Sequence, residues 1–281
     1  MKNQDYPLKL NLSEITSNVA SICRLAFQEV IAPKLAGNVR IQSKDNSGRN
    51  FVTEVDLATE LFLKERLTKV VPEAGFIAEE TASNSNAIGL NWIIDPIDGT
   101  TNFMHHAPPY CISVALAKDH EILVGVVFEL FYQEMFTAWK GGGSYNNDKK
   151  IRISVAENLS ESLLVTGFPY EQNELFDSWI ALFAKLTRKT HGVRRYGAAA
   201  VDLCYVAAGR IDGYYEFNLN PWDVAAGSLI AQEAGATVTD FYHGDDFLFG
   251  KSLIATNGQI QQELSAEAAD FAALLAEFNS R

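Results

Sequence analysis

Apolar and polar positions along the chain predict helices and strands that follow one another closely, with no long unpatterned stretch. "NLSEITSNVASICRLAFQEVIAPKLAG" (11–37) carries apolar residues at helical spacing and reads as an amphipathic helix. Asn11 and Glu14 form a capping-box pattern at its start, Pro33 kinks or ends it, and Gly37 closes it. The polar stretch "IQSKDNSGRN" reads as a loop at the tip of a hairpin. "FVTEVD" follows as a short extended segment, and "LATELFLKERLTKVV" is a helix stopped by Pro72.

The middle of the chain changes period. "GFIAEE" and "NWIID" read as strands, the second ending at Asp95 because Pro96 turns the chain. "CISVALAKDHEILVGVVFEL" reads as two strands joined at Lys118–Asp119–His120, and "EMFTAWKGGG" as a third. Asn146–Asn147 marks the next tight turn, and Lys149–Lys150 a solvated edge strand. Beyond it lie a strand "SLLVTGF", helices "ELFDSWIALFAKLTRK" and "AVDLCYVAAGR", and a strand "GYYEFNL". A helix "WDVAAGSLIAQEAG", strands "ATVTD" and "SLIATN", and a last helix from Gln259 complete the chain. This order predicts an α+β protein of stacked layers with mixed or antiparallel sheets. The Gly141–Gly143 turn divides an N-terminal α+β part (1–143) from a C-terminal α/β part (144–281), packed as one compact unit.

Composition narrows the function classes. The 281 residues are 47% hydrophobic, enough for a large core, and carry a net charge of −12. Such a surface repels nucleic acid and anionic membrane, so neither is an expected partner. Three widely spaced cysteines, Cys23, Cys111 and Cys204, argue against a disulfide framework and a zinc ribbon. With no signal-peptide pattern and no apolar run of membrane length, the expected location is the cytoplasm.

"NWIIDPIDGTTNF" (91–103) concentrates the chemistry. Pro96 restricts the backbone around Asp95, aiming the Asp95 and Asp98 carboxylates and the Ile97 carbonyl at one point. Hard oxygen ligands of this kind suit Mg²⁺. Gly99 admits an anion to the backbone, and Thr100 and Thr101 open a helical turn whose free N–H groups favour phosphate. Asp-Pro and Asp-Gly are also ordinary turn chemistry, and Asp56 and Asp223 stand where aspartate commonly caps a helix. If Glu79, Asp95, Asp98 and Asp223 converge, each like-charge pair at ~4 Å costs about 4 kcal/mol at an effective dielectric of about 20. Convergence therefore implies cations.

"GFIAEE", "WIIDPIDGTTNF", "NPWDVAAGSLIAQEAGATVTD" and the shorter "FVTEVD" resemble, in order, the motifs of the inositol monophosphatase family. The resemblance covers nearly the whole chain. It implies an αβαβα sandwich and a Mg²⁺-dependent, lithium-sensitive phosphomonoesterase, often a homodimer. It further implies one metal on Glu79, Asp95 and the Ile97 carbonyl, a second on Asp95, Asp98 and Asp223, and a third, weaker ion near Glu79. Asp56 and Thr100 would orient and help deprotonate the attacking water. The phosphate would meet Ile97, Asp98, Gly99 and Thr100. Gly197, Ala198, Ala199, Glu216 and Asp223 would contact the alcohol part. Many relatives carry Ser or Thr at the Ala198 position. Relatives act on myo-inositol monophosphate, fructose 1,6-bisphosphate, NADP, histidinol phosphate or adenosine 3′,5′-bisphosphate; the nucleotide-specific branch has longer insertions than this chain holds. Some bacterial relatives act by binding a partner in RNA-linked processes. The basic pair Arg194–Arg195, near this pocket, has two readings, phosphate binding or pairing with acids at a subunit boundary, and the structural one is favoured because the metals would handle the phosphate; His105–His106 read as surface rather than zinc ligands.

Overall fold

The computed structural model describes residues 10–35, 41–43, 51–81, 88–169 and 174–280. Its first helix, α1 (Leu12–Ala26), has the predicted N-cap but not the full capping box: Asn11 Oδ1 accepts the Glu14 N–H at 3.3 Å, while the Glu14 carboxylate accepts from the Asn11 side-chain amide at 3.1 Å rather than from its backbone N–H. The helix then widens into a π turn over Phe27–Ile31 before α2 (Ala32–Leu35). Pro33 has no N–H to donate and crowds the carbonyl one turn back, so the ladder adjusts ahead of it. Gly37 and the hairpin tip at 44–50 lie outside the described residues, but the flanking strands β1 (Ile41–Ser43) and β2 (Phe51–Thr53) pair antiparallel. The long helix α3 (Glu54–Val70) starts three residues earlier than its apolar pattern suggests, which sets Asp56 inside its first turn.

A seven-stranded sheet follows, ordered β3 (Gly75–Ala78), β4 (Leu90–Asp98), β5 (Cys111–Lys118), β6 (Glu121–Glu129), β7 (Glu134–Trp139), β8 (Gly143–Asn146) and β9 (Lys149–Lys150). The short helix α4 (Thr100–Met104) lies between β4 and β5. Only β3 and β4 are parallel; the other pairs are antiparallel. β5 and β6 are apolar on consecutive positions because both faces of the sheet are covered. The β8–β9 turn falls on Asn147 and Asp148, both at positive φ, one residue later than the sequence suggests. Lys149 and Lys150 are exposed on the sheet edge, as expected.

The second sheet has five strands in the order β11 (Gly192–Arg194), β10 (Leu163–Thr166), β12 (Gly213–Phe217), β14 (Ser252–Thr256) and β13 (Thr237–Thr239). β10 runs parallel to both β11 and β12. β11 was not foreseen; three residues carry too little pattern, and pairing with β10 makes it a strand. Its helices are α5 (Phe176–Lys189), α6 (Ala199–Ala207), α7 (Pro221–Glu233) and α8 (Gln261–Asn279).

Three buried clusters bind these elements into five layers. One lies between α1, α3 and the seven-stranded sheet; the second fills the space around α6 and α7, between the two sheets; the third joins the five-stranded sheet to α5 and α8. The order is αβαβα. The central helix α7 packs against β6 so closely that a Cβ on Gly125 would stand 2.6 Å from the Ala226 carbonyl oxygen. That closeness explains the small residues of "VAAGS" and fixes the helix that carries Asp223. Gly125→Ala must push α7 off the sheet, and overpacking of this kind costs about 1–3 kcal/mol. A lower melting temperature than wild type is expected in thermal unfolding; an unchanged one would refute the close contact.

Candidate active site

β4 carries the first two acids, and its local geometry corrects the sequence reading. The strand does not stop at Asp95. It continues to Asp98 through a bulge: Asp95 pairs with Ser113 and Asp98 with Cys111, so one extra residue is spent on β4. Pro96 cannot donate to the ladder and occupies the bulge, where proline is tolerated. In a regular strand, side chains three apart face opposite sides. The extra residue cancels that inversion, and Asp95 and Asp98 both line one cavity of about 220 Å³. Within the bulge the Ile97 N–H donates to Asp95 Oδ1 at 3.0 Å.

Glu79, directly after β3, lines the same cavity; its N–H donates to the Ile94 carbonyl at 3.2 Å. Asp223 joins from the first turn of α7. Its Oδ2 accepts the Asn220 N–H at 2.7 Å in a capping box, so the ordinary capping role is real and coexists with a place in the cavity. Gly99 follows Asp98 at φ +87°, and a Cβ there would come within 3.1–3.3 Å of Pro109, Gly197 and Ala198. This tight junction brings α4 against the start of α6. Ile97, Gly99, Thr100, Gly197, Ala198, Ala199 and Glu216 all line the cavity.

Asp56 does not line it but stands behind Thr100, whose hydroxyl reaches Asp56 Oδ1 at 3.2 Å and the Ile97 carbonyl at 3.0 Å. Glu216 is held by the Tyr214 hydroxyl, which donates to it at 2.8 Å. Tyr214 and Tyr215 are buried and do not line the cavity; strand alternation sends Tyr215 to the opposite face.

The electrostatics are those of an uncompensated acidic cluster. Burial raises Asp95 well above the usual aspartate range, and the Glu79, Asp98 and Asp223 charges raise it further. Burial raises Asp98 to about 7, although the N–H groups of Ala200 and Ala199 at the start of α6 oppose the rise; the Ala200 bond is 2.7 Å. Asp223 is raised by burial and by Glu79. Burial likewise lifts Glu216 to about 7, against the Tyr214 hydrogen bond and the Arg195 charge.

The donors facing this cavity are hard oxygens, which fit Mg²⁺. Among the described residues no three His, Cys, Asp or Glu side chains are gathered into a closed metal shell. Asp95, Asp98 and Asp223 are each anchored to a separate backbone N–H, which spaces the charges. Mg²⁺ typically takes only one or two carboxylates and completes its octahedron with water and substrate phosphate.

Three features escaped the sequence reading. Buried Glu60, one turn beyond Asp56 on α3, accepts hydrogen bonds from Lys64, Thr81 and the Glu80 N–H, pinning the loop that carries Glu79. The pair Asp56 and Glu60 at i,i+4 is the only trace of this in the sequence. Asn102 donates to the Pro109 and Tyr196 carbonyls at 2.8 and 2.6 Å, tying α4 to the segment before Gly197. Arg194 and Arg195 are both exposed; Arg195 lines the cavity, whereas Arg194 among the described residues reaches the carbonyl of Val193.

The sequence model of the inositol monophosphatase family matches residues 11–273. The chain is 42% identical over 256 residues to an inositol-1-monophosphatase of Synechocystis, covering 89% of each chain. It is 38% identical over 248 residues to the Nus factor SuhB of Haemophilus influenzae, covering 88% of this chain and 93% of that one. The solved structure of an inositol monophosphatase from Anabaena superposes with a TM-score of 0.83 at 35% identity, over 93% of this chain and 97% of that one.

The carboxylate cluster dictates a pH dependence of stability in metal-free protein. Asp98 has a folded pKa of about 7, against about 3.9 for an unfolded aspartate. The native state therefore holds a proton that the unfolded chain releases. Its contribution is full below about pH 4 and is lost as pH rises through about 7. In EDTA, the melting temperature is expected to fall from about pH 5 to about pH 8, and Asp98→Asn to flatten that fall. An Asn variant that melts below wild type at the alkaline end would contradict the buried-charge account.

Proposed function

The chain belongs to the inositol monophosphatase family, and from that premise we propose that it is a Mg²⁺-dependent phosphomonoesterase whose preferred substrate is a myo-inositol monophosphate. The observation that carries the reading is the convergence of Glu79, Asp95, Asp98 and Asp223, from three separate parts of the chain, on one buried cavity with no equal positive charge beside them. Glu79, Asp95, the Ile97 carbonyl, Asp98 and Asp223 would hold the two to three ions expected. When bound, Mg²⁺ supplies charge neutralisation at the phosphoryl oxygens and lowers the pKa of water.

The protein's own groups complete the chemistry. Thr100 Oγ1 orients the attacking water, and Asp56 Oδ1, within hydrogen-bond reach of that hydroxyl, takes up the proton. The N–H groups of Gly99 and Thr100, at the start of α4, hold phosphate oxygens through transfer, which asks mainly for positioning and charge stabilisation. Glu216, steadied by Tyr214, accepts hydrogen bonds from the hydroxyls of the alcohol, and backbone groups of Gly197, Ala198 and Ala199 line its path. Ala198 presents no hydroxyl, so the fit to inositol rests on Glu216 and the backbone. Fructose 1,6-bisphosphate, NADP, histidinol phosphate and adenosine 3′,5′-bisphosphate are the competing substrates. Among the described residues no helix is long and apolar enough to cross a membrane; a cytoplasmic homodimer accords with the family resemblance.

The relative named Nus factor SuhB favours a second reading, in which the chain acts by binding a partner and its hydrolytic site is secondary. Asp98→Asn separates the two, since a binding role survives loss of the carboxylate.

Purified protein is expected to release phosphate from myo-inositol 1-phosphate, to stop with EDTA and lithium, and to recover with excess Mg²⁺. Thr100→Ala is expected to lower kcat about 10²-fold by removing the water-orienting hydroxyl. Absence of metal-dependent release from every sugar or polyol phosphate tried would refute the assignment.

A further inference from the structure

We propose that Arg195 forms a second anion subsite in this cavity, binding a negatively charged group of the substrate other than the phosphate being hydrolysed. The assignment rests on the phosphomonoesterase reading above and widens it, adding to the inositol monophosphate those phosphate esters that carry a further anionic group.

The placement follows from the five-stranded sheet. β11, β10 and β12 are parallel neighbours, with Val165 opposite Arg194 and Thr166 opposite Tyr215. Arg195, Gly167 and Glu216 therefore come at the same carboxyl ends of three adjacent strands, the position where open sheets commonly receive ligands. The outer two strands are about 10 Å apart, two spacings of about 4.8 Å. Long side chains from either side thus flank the middle strand, which ends in glycine. The Glu216 carboxylate occupies the volume that a Gly167 Cβ would need. The Gly167 carbonyl is pinned from below by the indole N–H of buried Trp179, at 2.9 Å. On the other flank the Arg195 guanidinium folds over Gly197, filling the place of that residue's absent side chain. An acceptor and a donor therefore stand on either side of the same floor.

Arg195 is the single cation among the described residues lining the cavity. Glu216 and Asp202 are its charged neighbours. Neither forms an ion pair with it, and its guanidinium makes no hydrogen bond among the described residues. A structural arginine would spend its five N–H donors on the protein. Arg195 is exposed at the rim of the cavity, with one guanidinium nitrogen over Gly197, so its donors are open to an incoming ligand. Its planar fork matches a carboxylate or phosphate bidentately, which a neutral hydroxyl does not reward to the same degree. The carboxylate cluster and its cations deal with the phosphate undergoing transfer, leaving Arg195 for a second anion.

Fructose 1,6-bisphosphate and fructose 1-phosphate form a matched pair of probes that differ by one anionic group. Their kcat/KM ratio is measured with Mg²⁺ for wild type, Arg195→Ala and Arg195→Lys, and ligand-induced thermal stabilisation is followed in parallel. The expected result is a bisphosphate preference that falls about thirtyfold in the alanine variant, with the lysine variant in between. An equal effect of Arg195→Ala on both probes would overturn the subsite. Wild type that hydrolyses neither sugar but is stabilised by the bisphosphate through Arg195 keeps the subsite, and the phosphatase reading is then overturned if myo-inositol 1-phosphate with Mg²⁺ also releases no phosphate. No Arg195-dependent preference in either readout overturns the subsite whatever the activity.

Discussion

Four carboxylates share one buried cavity, and the repulsion among them is the constraint around which the rest of the molecule is arranged. Burial and mutual charge raise Asp95 and Asp223 well above the ordinary range and Asp98 to about 7. Such a cluster is tolerable only with strong local support or with cations. The support is visible: the amides at the start of α6 face Asp98, the Asn220 N–H meets Asp223, and the Ile97 N–H meets Asp95. Each bond satisfies one acceptor lone pair and leaves others turned toward the cavity.

The layered architecture serves that arrangement. Glu79 and Asp95 come from the parallel pair at one edge of the seven-stranded sheet, Asp98 from the bulge beyond, and Asp223 from the helix packed on the sheet's inner face. The contact of Gly125 with Ala226 sets the depth at which that helix lies. On the far side, the five-stranded sheet contributes Glu216 and Arg195, so the cavity is acidic on the side of the seven-stranded sheet and mixed in sign on the other. Glu60 couples two of these parts, holding the Glu79 loop to the same helix that carries Asp56. A single rigid strut thereby registers a carboxylate of the cluster against Asp56, the hydrogen-bond partner of Thr100.

Most elements were legible from periodicity, because a helix or strand long enough to bury one face repeats its pattern several times. The capped start of α1, the apolar pair β5 and β6, and the end of α7 near Gly235 belong to this group. The failures were short or paired elements. β11 exists by virtue of its neighbour, and the bulge in β4 trades a turn that Pro96 suggests for a strand that continues. The candidate site residues were legible through motifs. Arg195 and Glu60 were not, since an exposed basic pair and a helical glutamate look the same in sequence whether they act or merely dissolve.

By itself the sequence determined which segments are helical or extended, that the chain carries a surplus of acid, and which acids follow strands or open helices. Those are local properties, set by propensity, spacing and the fixed geometry of proline and glycine. Only the tertiary structure decided that Asp95 and Asp98 face the same way, that Asp223 meets them, and that of two exposed arginines Arg195 lines the cavity and Arg194 does not. These depend on register and on packing between layers, where a shift of one residue reverses every side chain, and no local preference encodes that choice.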